Sequence, residues 1–546
     1  MRETENQFGN IGNVRPPATM MTQHPDSASR YVPVRDEAVE AIDALTPQPI
    51  GLGLEEVMVD YEGKLTPYHQ TAEIALGLLE RGQVPGRDIL VTPRVPSATK
   101  ETAFHQLMAL MSVIESNYQL AAAGSDGAIR EVIVPMVETA AELVDVRRRI
   151  QDVIELGHKE FGIPQDPDAV QVIPLIEEVP ELLGAGRMLG QYLEQAAAAG
   201  YGVSRLRIML GRSDSAMVYG LVPSVLAVKI AISDCYALGR EKEIDVLPIY
   251  GGGVLPFRGH VSLENLGRLV EDYAGIRTVT VQSGLRYDCG SAATRQVAIQ
   301  AHERLGGKSP LAYSAGERDE IAALIGLFTI PYLESFAELL PAVISISDVI
   351  PRQRDRLARK SAVGYARAAA EPAKLAAEIG DAGIAARVGA APTLEAASLP
   401  RAISFTGALY TIGLPPEFIG TGRGLASVAR ELGDDGINRL LGIYPGLKAD
   451  LAQAARFANM ATAATHLPGK LMSQLTEDFR EVSDRLGVDA GPASAEDQRY
   501  HVLLETVQPL LRQLVAGGDE WAGEAADRDL VTEWISRLGR LRGSLG

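Results

Sequence analysis

Eight short runs of apolar and β-branched residues recur through the first half of the chain, and they constrain its fold more than any other feature. The runs span residues 18–23, 55–60, 88–92, 131–135, 171–175, 206–210, 245–249 and 278–282. Most are separated by longer stretches, such as QTAEIALGLLERG and SVLAVKIAISDCYALGR, whose apolar residues have helical spacing. Near-continuous apolar strands that alternate with helices indicate a parallel sheet covered by helices. Eight repeats predict a closed (β/α)8 barrel of the TIM type, and an open doubly wound sheet is the alternative.

Polar side chains follow seven of the eight predicted strands. They are His24, Asp60 with Glu62 and Lys64, Arg94, Glu177, Asp214, Arg258, and Gln282 with Arg286. Barrel active sites are assembled from the loops at the carboxyl ends of the strands. The one-sided distribution of these residues therefore predicts a catalytic site at that end.

From about residue 290 onward the pattern becomes mostly helical, as in AATRQVAIQAHERLG and DLAQAARFANMATAAT. The α/β chain is predicted to comprise a flexible N-terminal segment (1–17), a catalytic barrel (18–290) and a large α-helical C-terminal region packed on the barrel (291–546). The Ala-rich stretch 368–400, interrupted by Gly and Pro, is expected to be a loosely ordered connection between helical layers.

The charge balance limits the classes of partner. The chain has 52 Lys and Arg against 70 Asp and Glu, a net charge of −18 that repels nucleic acid and anionic membranes. No run resembles a signal peptide or supplies the ~18 consecutive apolar residues of a membrane span. Cys235 and Cys289 are too few for a disulfide framework. We expect a cytoplasmic protein that binds neither nucleic acid nor membranes.

Glu177 and Asp214 each follow one of two consecutive predicted strands. Because neighbouring strands lie about 4.8 Å apart, these two carboxylates could share one hard cation such as Mg²⁺ or Mn²⁺. Glu178 is the alternative ligand. Glu177 or Glu178 could instead begin the following helix, where an acidic residue interacts favourably with the helix dipole.

His24 precedes Pro25, which favours extended backbone at the histidine. A histidine in a strand-end loop can exchange protons near neutral pH, although a lone loop histidine is more often structural.

The run PIYGGGVLPFRGH at 248–260 places Gly251, Gly252 and Gly253 at a strand end, ahead of Arg258. Glycine permits close backbone approach to an oxyanion, and arginine offers a planar fork for phosphate or carboxylate. The spacing matches neither a P-loop nor a dinucleotide fingerprint. Arg94, between two prolines, and Gln282 with Arg286 end two further strands, and each arginine taken singly is as compatible with a surface salt bridge.

A series of motifs resembles archaeal-type phosphoenolpyruvate carboxylase over about residues 18–430. In order, they are MTQHPDSASR, VDYEGKLTPYHQ, VTPRVPS, IPLIEEV, GRSDSAMVYGLVPSVLAVKIA, YGGGVLPFRGH, TVTVQSGLRYD and LPRAISFTGALYTIGLPPEFIGTGR. The resemblance implies a metal-dependent carboxy-lyase that converts phosphoenolpyruvate and bicarbonate to oxaloacetate and phosphate. In that chemistry, bicarbonate attacks the phosphorus to give carboxyphosphate and the metal-stabilised enolate of pyruvate, which then captures carbon dioxide.

Residue roles follow from the same resemblance. His24 matches the histidine of a Thr-x-His-Pro signature that handles the carboxyphosphate proton, and Glu177 and Asp214 match the ligands of Mg²⁺ or Mn²⁺. Arg258 matches an arginine that neutralises phosphoryl or carboxylate charge. Arg94 and Arg286 match arginines that assist with phosphate and bicarbonate.

The sequence departs from the longer bacterial and plant members at Gly252, where their glycine loop carries a first arginine. Arg94, Arg212 or Arg286 could supply the missing charge. The C-terminal segment LGRLRGSLG either folds inward over the barrel or is frayed. The resemblance also implies a homotetramer, whereas the effector sites of the longer members cannot be transferred.

Two other functions are compatible with parts of the pattern. Another enolate-forming barrel, such as an aldolase or a phosphoenolpyruvate mutase, would use a similar carboxylate pair but would not need His24 or so many arginines. A catalytically inactive scaffold would not need this set of polar residues.

Overall fold

A closed barrel of parallel strands forms the centre of the molecule. The computed structural model describes residues 15–355, 369–393, 399–517 and 525–546. The strands are β1 (Thr19–Thr22), β2 (Glu56–Asp60), β3 (Leu90–Arg94), β4 (Glu131–Val134), β5 (Gln171–Ile176), β6 (Arg205–Gly211), β7 (Asp245–Gly251) and β8 (Thr278–Val281). Each pairs with the next in parallel, and β8 returns to β1, which closes the barrel. The predicted barrel and its eight strands are confirmed, and the open sheet is excluded.

The barrel interior is filled by side chains that alternate along the strands. The inward cluster consists of Met20, Met58, Ile133, Ile173, Leu175, Met209 and Ile249. The residues between them, such as Val57, Val59 and Val172, face the surrounding helices. Burial on both faces explains why the strands are continuous apolar runs.

The amino ends of the strands enclose a buried ion-pair layer. Arg207 of β6 donates to both carboxylate oxygens of Glu56 on β2, at 2.9 and 2.6 Å, and to Glu131 on β4 at 2.8 Å. Arg207 is 1% exposed. A single arginine thus bridges two carboxylates across the barrel, at the end opposite the predicted site.

Helices of the first half cover the barrel. They are α1 (Glu37–Leu45), α2 (Gln70–Glu80), α3 (Ala103–Ala122), α4 (Ala140–Phe161), α5 (Val179–Leu183), α6 (Ala185–Ala198), α7 (Ser213–Tyr219), α8 (Leu221–Lys242), α9 (Leu266–Asp272) and α10 (Gly290–Arg304). Helix α10 packs against β1 and β8. The division of the chain at residue 290 stays a prediction, and the predicted flexible segment 1–17 lies almost wholly outside the described residues.

The second half is helical, as predicted. Its described helices are α11 (Ala315–Ser347), α12 (Pro372–Ala377), α13 (Ala382–Gly389), α14 (Ala402–Thr411), α15 (Thr421–Ile443), α16 (Leu447–Ala455), α17 (Met460–Ala463), α18 (Gly469–Leu486), α19 (Ala495–Thr506), α20 (Gln508–Gly517) and α21 (Ala525–Arg542). The expectation of a loosely ordered 368–400 stretch is wrong for α12 and α13, which pack on each other because Leu375, Ile384 and Val388 are buried. Helix α13 also packs on α11, and α12 on α5.

Two helices, α8 and α11, are long and apolar enough to cross a membrane by length and composition. In each, most of the apolar window is buried inside the protein, 83% for α8 and 72% for α11. They pack against each other. Their apolar character is therefore accounted for by the core that joins the barrel to the helical region.

The ion-pair layer generates a stability prediction. Replacing Arg207 by Met leaves Glu56 and Glu131 without their shared cation, so the free energy of unfolding should fall by about 3–5 kcal/mol in urea titrations. Arg148→Met, which removes an exposed pair with Asp145, is the control and should leave the urea midpoint nearly unchanged. Equal losses in the two variants would contradict this account.

Candidate active site

A cavity opens at the carboxyl ends of the strands. Its wall is formed by His24, Pro25, Glu62, Arg94, Glu177, Ser213, Asp214, Arg258, Arg401, Ala402 and Ile403. Five predicted residues therefore meet in one place: His24, Arg94, Glu177, Asp214 and Arg258. They follow or end β1, β3, β5, β6 and β7. Parallel closure brings them together, because each of these strands ends at the same rim.

His24 is half-buried at the edge of this cavity. Its Nδ1 lies 2.7 Å from Thr22 Oγ1, two residues back on β1. Its carbonyl oxygen accepts a hydrogen bond from Ser283 Oγ at 2.5 Å. Both the ring and the backbone of the histidine are thus held by neighbouring groups.

Glu177 and Asp214 are adjacent because β5 and β6 are paired. Leu175 aligns with Met209 and Ile176 with Leu210, which sets Glu177 beside Gly211. A Cβ at Gly211 would lie 3.0 Å from Glu177 Cγ, so glycine gives the glutamate room to lie against β6. Both carboxylates also line a neighbouring cavity. They therefore form the boundary between two spaces.

The carboxylate pair is a small donor set. Among the residues that the structure describes, no group of three or more His, Cys, Asp or Glu side chains is arranged to hold a metal ion. Mg²⁺ commonly keeps several waters and is bound by one or two carboxylates together with substrate oxygens. Two carboxylates at a cavity wall fit that mode of binding and do not fit an all-protein cage.

Arg258 is buried and held from several sides. Its Nη2 donates to Gln282 Oε1 at 2.7 Å, its Nε donates to Ser213 Oγ at 3.2 Å, and its Nη1 lies 3.4 Å from Asp26 Oδ2. Nη1 also donates to the main-chain oxygen of Gly546 at 2.5 Å. The C-terminal segment therefore folds inward onto the site, and Gln282 positions Arg258 by accepting from it.

The glycine run supplies close packing around Arg258. A Cβ at Gly252 would lie 2.8 Å from the Tyr250 ring and 3.2 Å from Gly259 Cα. The N–H of Gly252 donates to Thr280 Oγ1 at 2.9 Å, and that of Gly253 donates to the Arg258 carbonyl at 2.7 Å. Gly251 belongs to β7. These contacts hold the loop itself, and they leave no space for an arginine at Gly252.

Arg94 reaches the cavity as part of an ion-pair group. It donates to both oxygens of Asp60, each at 2.9 Å, and its Nη1 lies 2.7 Å from Glu62. Arg286 and Arg212 are not among the residues that line the cavity. Arg286 donates to Glu40 at 2.9 Å and to the Thr22 carbonyl at 2.9 Å. Arg212 donates to Ser224, beyond α7.

Comparison with known proteins decides the family. A family model described as phosphoenolpyruvate carboxylase matches residues 16–546. A phosphoenolpyruvate carboxylase of Methanopyrus kandleri is 39% identical over 538 residues, covering 97% of this chain and 98% of that protein. One from Methanosarcina acetivorans is 38% identical, covering 97% and 99%, and one from Metallosphaera sedula is 30% identical, covering 91% and 95%. The chain belongs to the phosphoenolpyruvate carboxylase family.

One cationic residue of the cavity, Arg401, was not predicted from the sequence. Arg401 lines the cavity and lies just before α14, far along the sequence from any strand. The only sequence signal for Arg401 is the motif LPRAISFTG, which belongs to the family resemblance. For the C-terminal segment, the sequence leaves two alternatives open, and the structure shows that it folds inward at Gly546. A Cβ there would lie 2.1 Å from the Ile403 carbonyl, so only glycine fits.

Glu417 anchors the Arg258 loop from the helical region. Its Oε1 accepts from the N–H of Phe257 and from the Tyr410 hydroxyl, both at 2.9 Å. Complete burial, together with the nearby charge of Asp450, raises the pKa of Glu417 to about 7, although hydrogen bonds to it act in the opposite direction. The carboxyl group is thus a buried acid next to the site.

This raised pKa makes stability depend on pH. The native state keeps the proton between pH 4.5 and about 7, where the unfolded chain loses it, so unfolding becomes easier as pH rises through that window. Glu417→Gln keeps the acceptor and removes the titration. We expect the free energy of unfolding of the variant, minus that of the native protein, to increase by about 3 kcal/mol from pH 4.5 to pH 8 in urea titrations. A constant difference across that range would contradict the assignment.

Proposed function

We propose that this chain converts phosphoenolpyruvate and bicarbonate to oxaloacetate and phosphate. The proposal rests on one observation in a chain of this family: His24, Glu177, Asp214 and two cationic side chains of the barrel rim, Arg94 and Arg258, meet in a single cavity. This reaction must hold two anionic substrates together. Arginines bind anions directly, and a carboxylate pair can hold a divalent cation that binds them as well.

Glu177 and Asp214 would hold the divalent cation, Mg²⁺ or Mn²⁺. When bound, the cation neutralises charge on the phosphate and enolate oxygens. Both carboxylates line the wall between the two cavities and would hold the cation there. Substrate oxygens and water would complete its coordination, in keeping with a two-carboxylate donor set.

Arg258, Arg94 and Arg401 would bind the phosphate and carboxylate groups. Arg258 is oriented by Gln282 and Ser213, so its guanidinium is fixed before substrate arrives. Arg94 is partly neutralised by Asp60 and Glu62. We assign to Arg401, which lines the same cavity wall, the positive charge that Gly252 does not supply, with Arg94 assisting it.

His24 would manage the proton of the carboxyphosphate intermediate. If Nδ1 donates to Thr22 Oγ1, the lone pair lies on Nε2, which can accept the carboxyl proton as carbon dioxide departs. The enolate of pyruvate then attacks carbon dioxide to form oxaloacetate.

We extend the proposal to the setting of the enzyme, a cytoplasmic homotetramer. The net charge of −18 disfavours anionic membranes and nucleic acid as partners, and the long apolar helices α8 and α11 are largely buried. Analytical ultracentrifugation of the full chain tests the assembly, and a purely monomeric species would remove it from the proposal.

The reaction itself is tested by coupling oxaloacetate to malate dehydrogenase and NADH with Mg²⁺ present. Oxaloacetate should form from phosphoenolpyruvate only when bicarbonate is added, because bicarbonate supplies the new carboxyl group. Product formation in bicarbonate-free buffer would overturn the carboxylase assignment and favour another enolate-forming reaction.

His24→Asn should lower kcat by about 10² to 10⁴, the range typical of a lost acid–base group, while Mn²⁺ affinity stays unchanged. His158→Asn, at an exposed position on α4, is the control and should retain native turnover. Native turnover in the His24 variant would exclude the histidine from the mechanism.

Asp214→Asn should weaken Mn²⁺ binding by at least about tenfold, because one anionic ligand of two is lost. The measurement is a Mn²⁺ titration followed by electron paramagnetic resonance of the free ion. Glu178→Gln, run in parallel, should leave the affinity unchanged if Glu177 is the second ligand. An unchanged titration for Asp214→Asn would exclude it as a ligand.

A further inference from the structure

A buried charged cluster lies behind the loop that carries His24. We call it the Arg354 cluster; its members are Glu37, Glu40, Lys64, Arg286 and Arg354. Their side chains are at most 4% exposed. Arg354 is the one member that comes from beyond the barrel, after the end of α11.

Arg354 contacts the catalytic loop through its guanidinium. Nε donates to the carbonyl oxygen of His24 at 3.3 Å, and Nη2 donates to Ser283 Oγ at 3.0 Å. Ser283 Oγ in turn donates to the same His24 carbonyl at 2.5 Å. The histidine carbonyl is therefore held by two donors, one from the helical region and one from the segment after β8.

The rest of the cluster orients Arg354. Nη1 donates to Glu37 at 3.1 Å and Nη2 donates to Glu40 at 2.6 Å. Burial alone would raise the pKa of Glu40, but the charges of Arg286 and Arg354 lower it to about 2, so this carboxylate stays ionised. Gln353, the residue before Arg354, contacts the barrel region as well: its carbonyl oxygen accepts a hydrogen bond from the N–H of Val32 at 3.0 Å.

The carbonyl contact matters because of Pro25. The peptide after His24 has no N–H, so the carbonyl is the principal polar group by which the backbone can be held at this point. With the ring at Thr22 and the carbonyl at Ser283 and Arg354, the imidazole is fixed from both ends. A displacement of about 1 Å at a reacting group can cost about 100-fold in rate.

We propose that Arg354, acting with Ser283, is a positioning residue that holds His24 in its catalytic orientation. The helical region thereby sets the geometry of the first strand-end loop of the barrel. This inference rests on the proposed function, because it assigns a role toward the histidine of that reaction.

The fold should tolerate removal of Arg354. Glu37 keeps Lys64, whose Nζ lies 2.6 Å from its carboxylate oxygens. Glu40 keeps Arg286 at 2.9 Å and the Tyr287 hydroxyl at 2.5 Å. Neither carboxylate is therefore left as an isolated buried charge.

The first test is kinetic. Arg354→Met should lower kcat on the order of 10- to 100-fold, with KM for phosphoenolpyruvate within about twofold of native, since the substrate-binding arginines are untouched. Ser283→Ala removes the other donor and should lower kcat in the same way, by a smaller factor. Arg207→Met is the matched control, a buried arginine between two carboxylates at the opposite end of the barrel, and it should retain native kcat.

The second test needs no turnover. Diethyl pyrocarbonate modifies accessible imidazoles, and peptide mass spectrometry gives the rate at each histidine. Modification of His24 should become several-fold faster in Arg354→Met and Ser283→Ala, whereas the exposed His158 and the Arg207→Met protein should not change. If Arg354→Met does not fold, Ser283→Ala decides both tests.

The outcomes separate the two proposals. Unchanged kcat and unchanged His24 modification in Arg354→Met and Ser283→Ala would overturn the positioning role. A kcat loss equal to that of Arg207→Met would do the same, because it would reflect stability alone. If the native protein forms no oxaloacetate, the proposed function fails, and the modification rates still decide whether Arg354 and Ser283 hold His24.

Discussion

Closure of a parallel barrel is the constraint on which the rest of this structure depends. Pairing of β8 with β1 brings every strand's carboxyl end to one rim, so residues up to 234 positions apart, from His24 to Arg258, share a wall. The same closure gathers the amino ends, where Arg207 bridges Glu56 and Glu131. One end of the barrel therefore serves stability and the other presents its polar groups to a cavity.

The helical region completes the site as well as covering the barrel. Arg401 contributes a cation to the cavity wall, Glu417 holds the backbone next to Arg258, and Gly546 accepts a hydrogen bond from Arg258 itself. Arg354 reaches the carbonyl of His24 from the same region. The geometry of the rim thus depends on contacts made by residues that lie from 73 (Arg354) to 265 (Gly546) positions after Val281, the end of β8. The two halves of the chain are therefore expected to act as one catalytic unit.

The arginines are the residues whose place in the site could least be predicted from the sequence. Arg94, Arg212, Arg258 and Arg286 all follow strands and carry the same charge, yet only Arg94 and Arg258 reach the cavity. Arg286 forms an ion pair with Glu40, and Arg212 donates a hydrogen bond to Ser224. An arginine side chain is long, so the position of its guanidinium depends on its hydrogen-bond and ion-pair partners more than on its place in the sequence. Those partners are remote in sequence and have no periodic pattern.

The sequence by itself determined the strands, their order, the helical character of the second half and the rim on which polar residues meet, because apolar periodicity and chain order are local properties. It also indicated His24, Glu177 and Asp214, since their positions at strand ends follow from the same periodicity. Only the tertiary structure decided which arginines line the cavity, that Arg401 joins them, that Gly546 folds onto Arg258, and that Arg354 holds His24. These depend on long-range packing between the barrel and the helical region, where burial makes each buried charge find a partner.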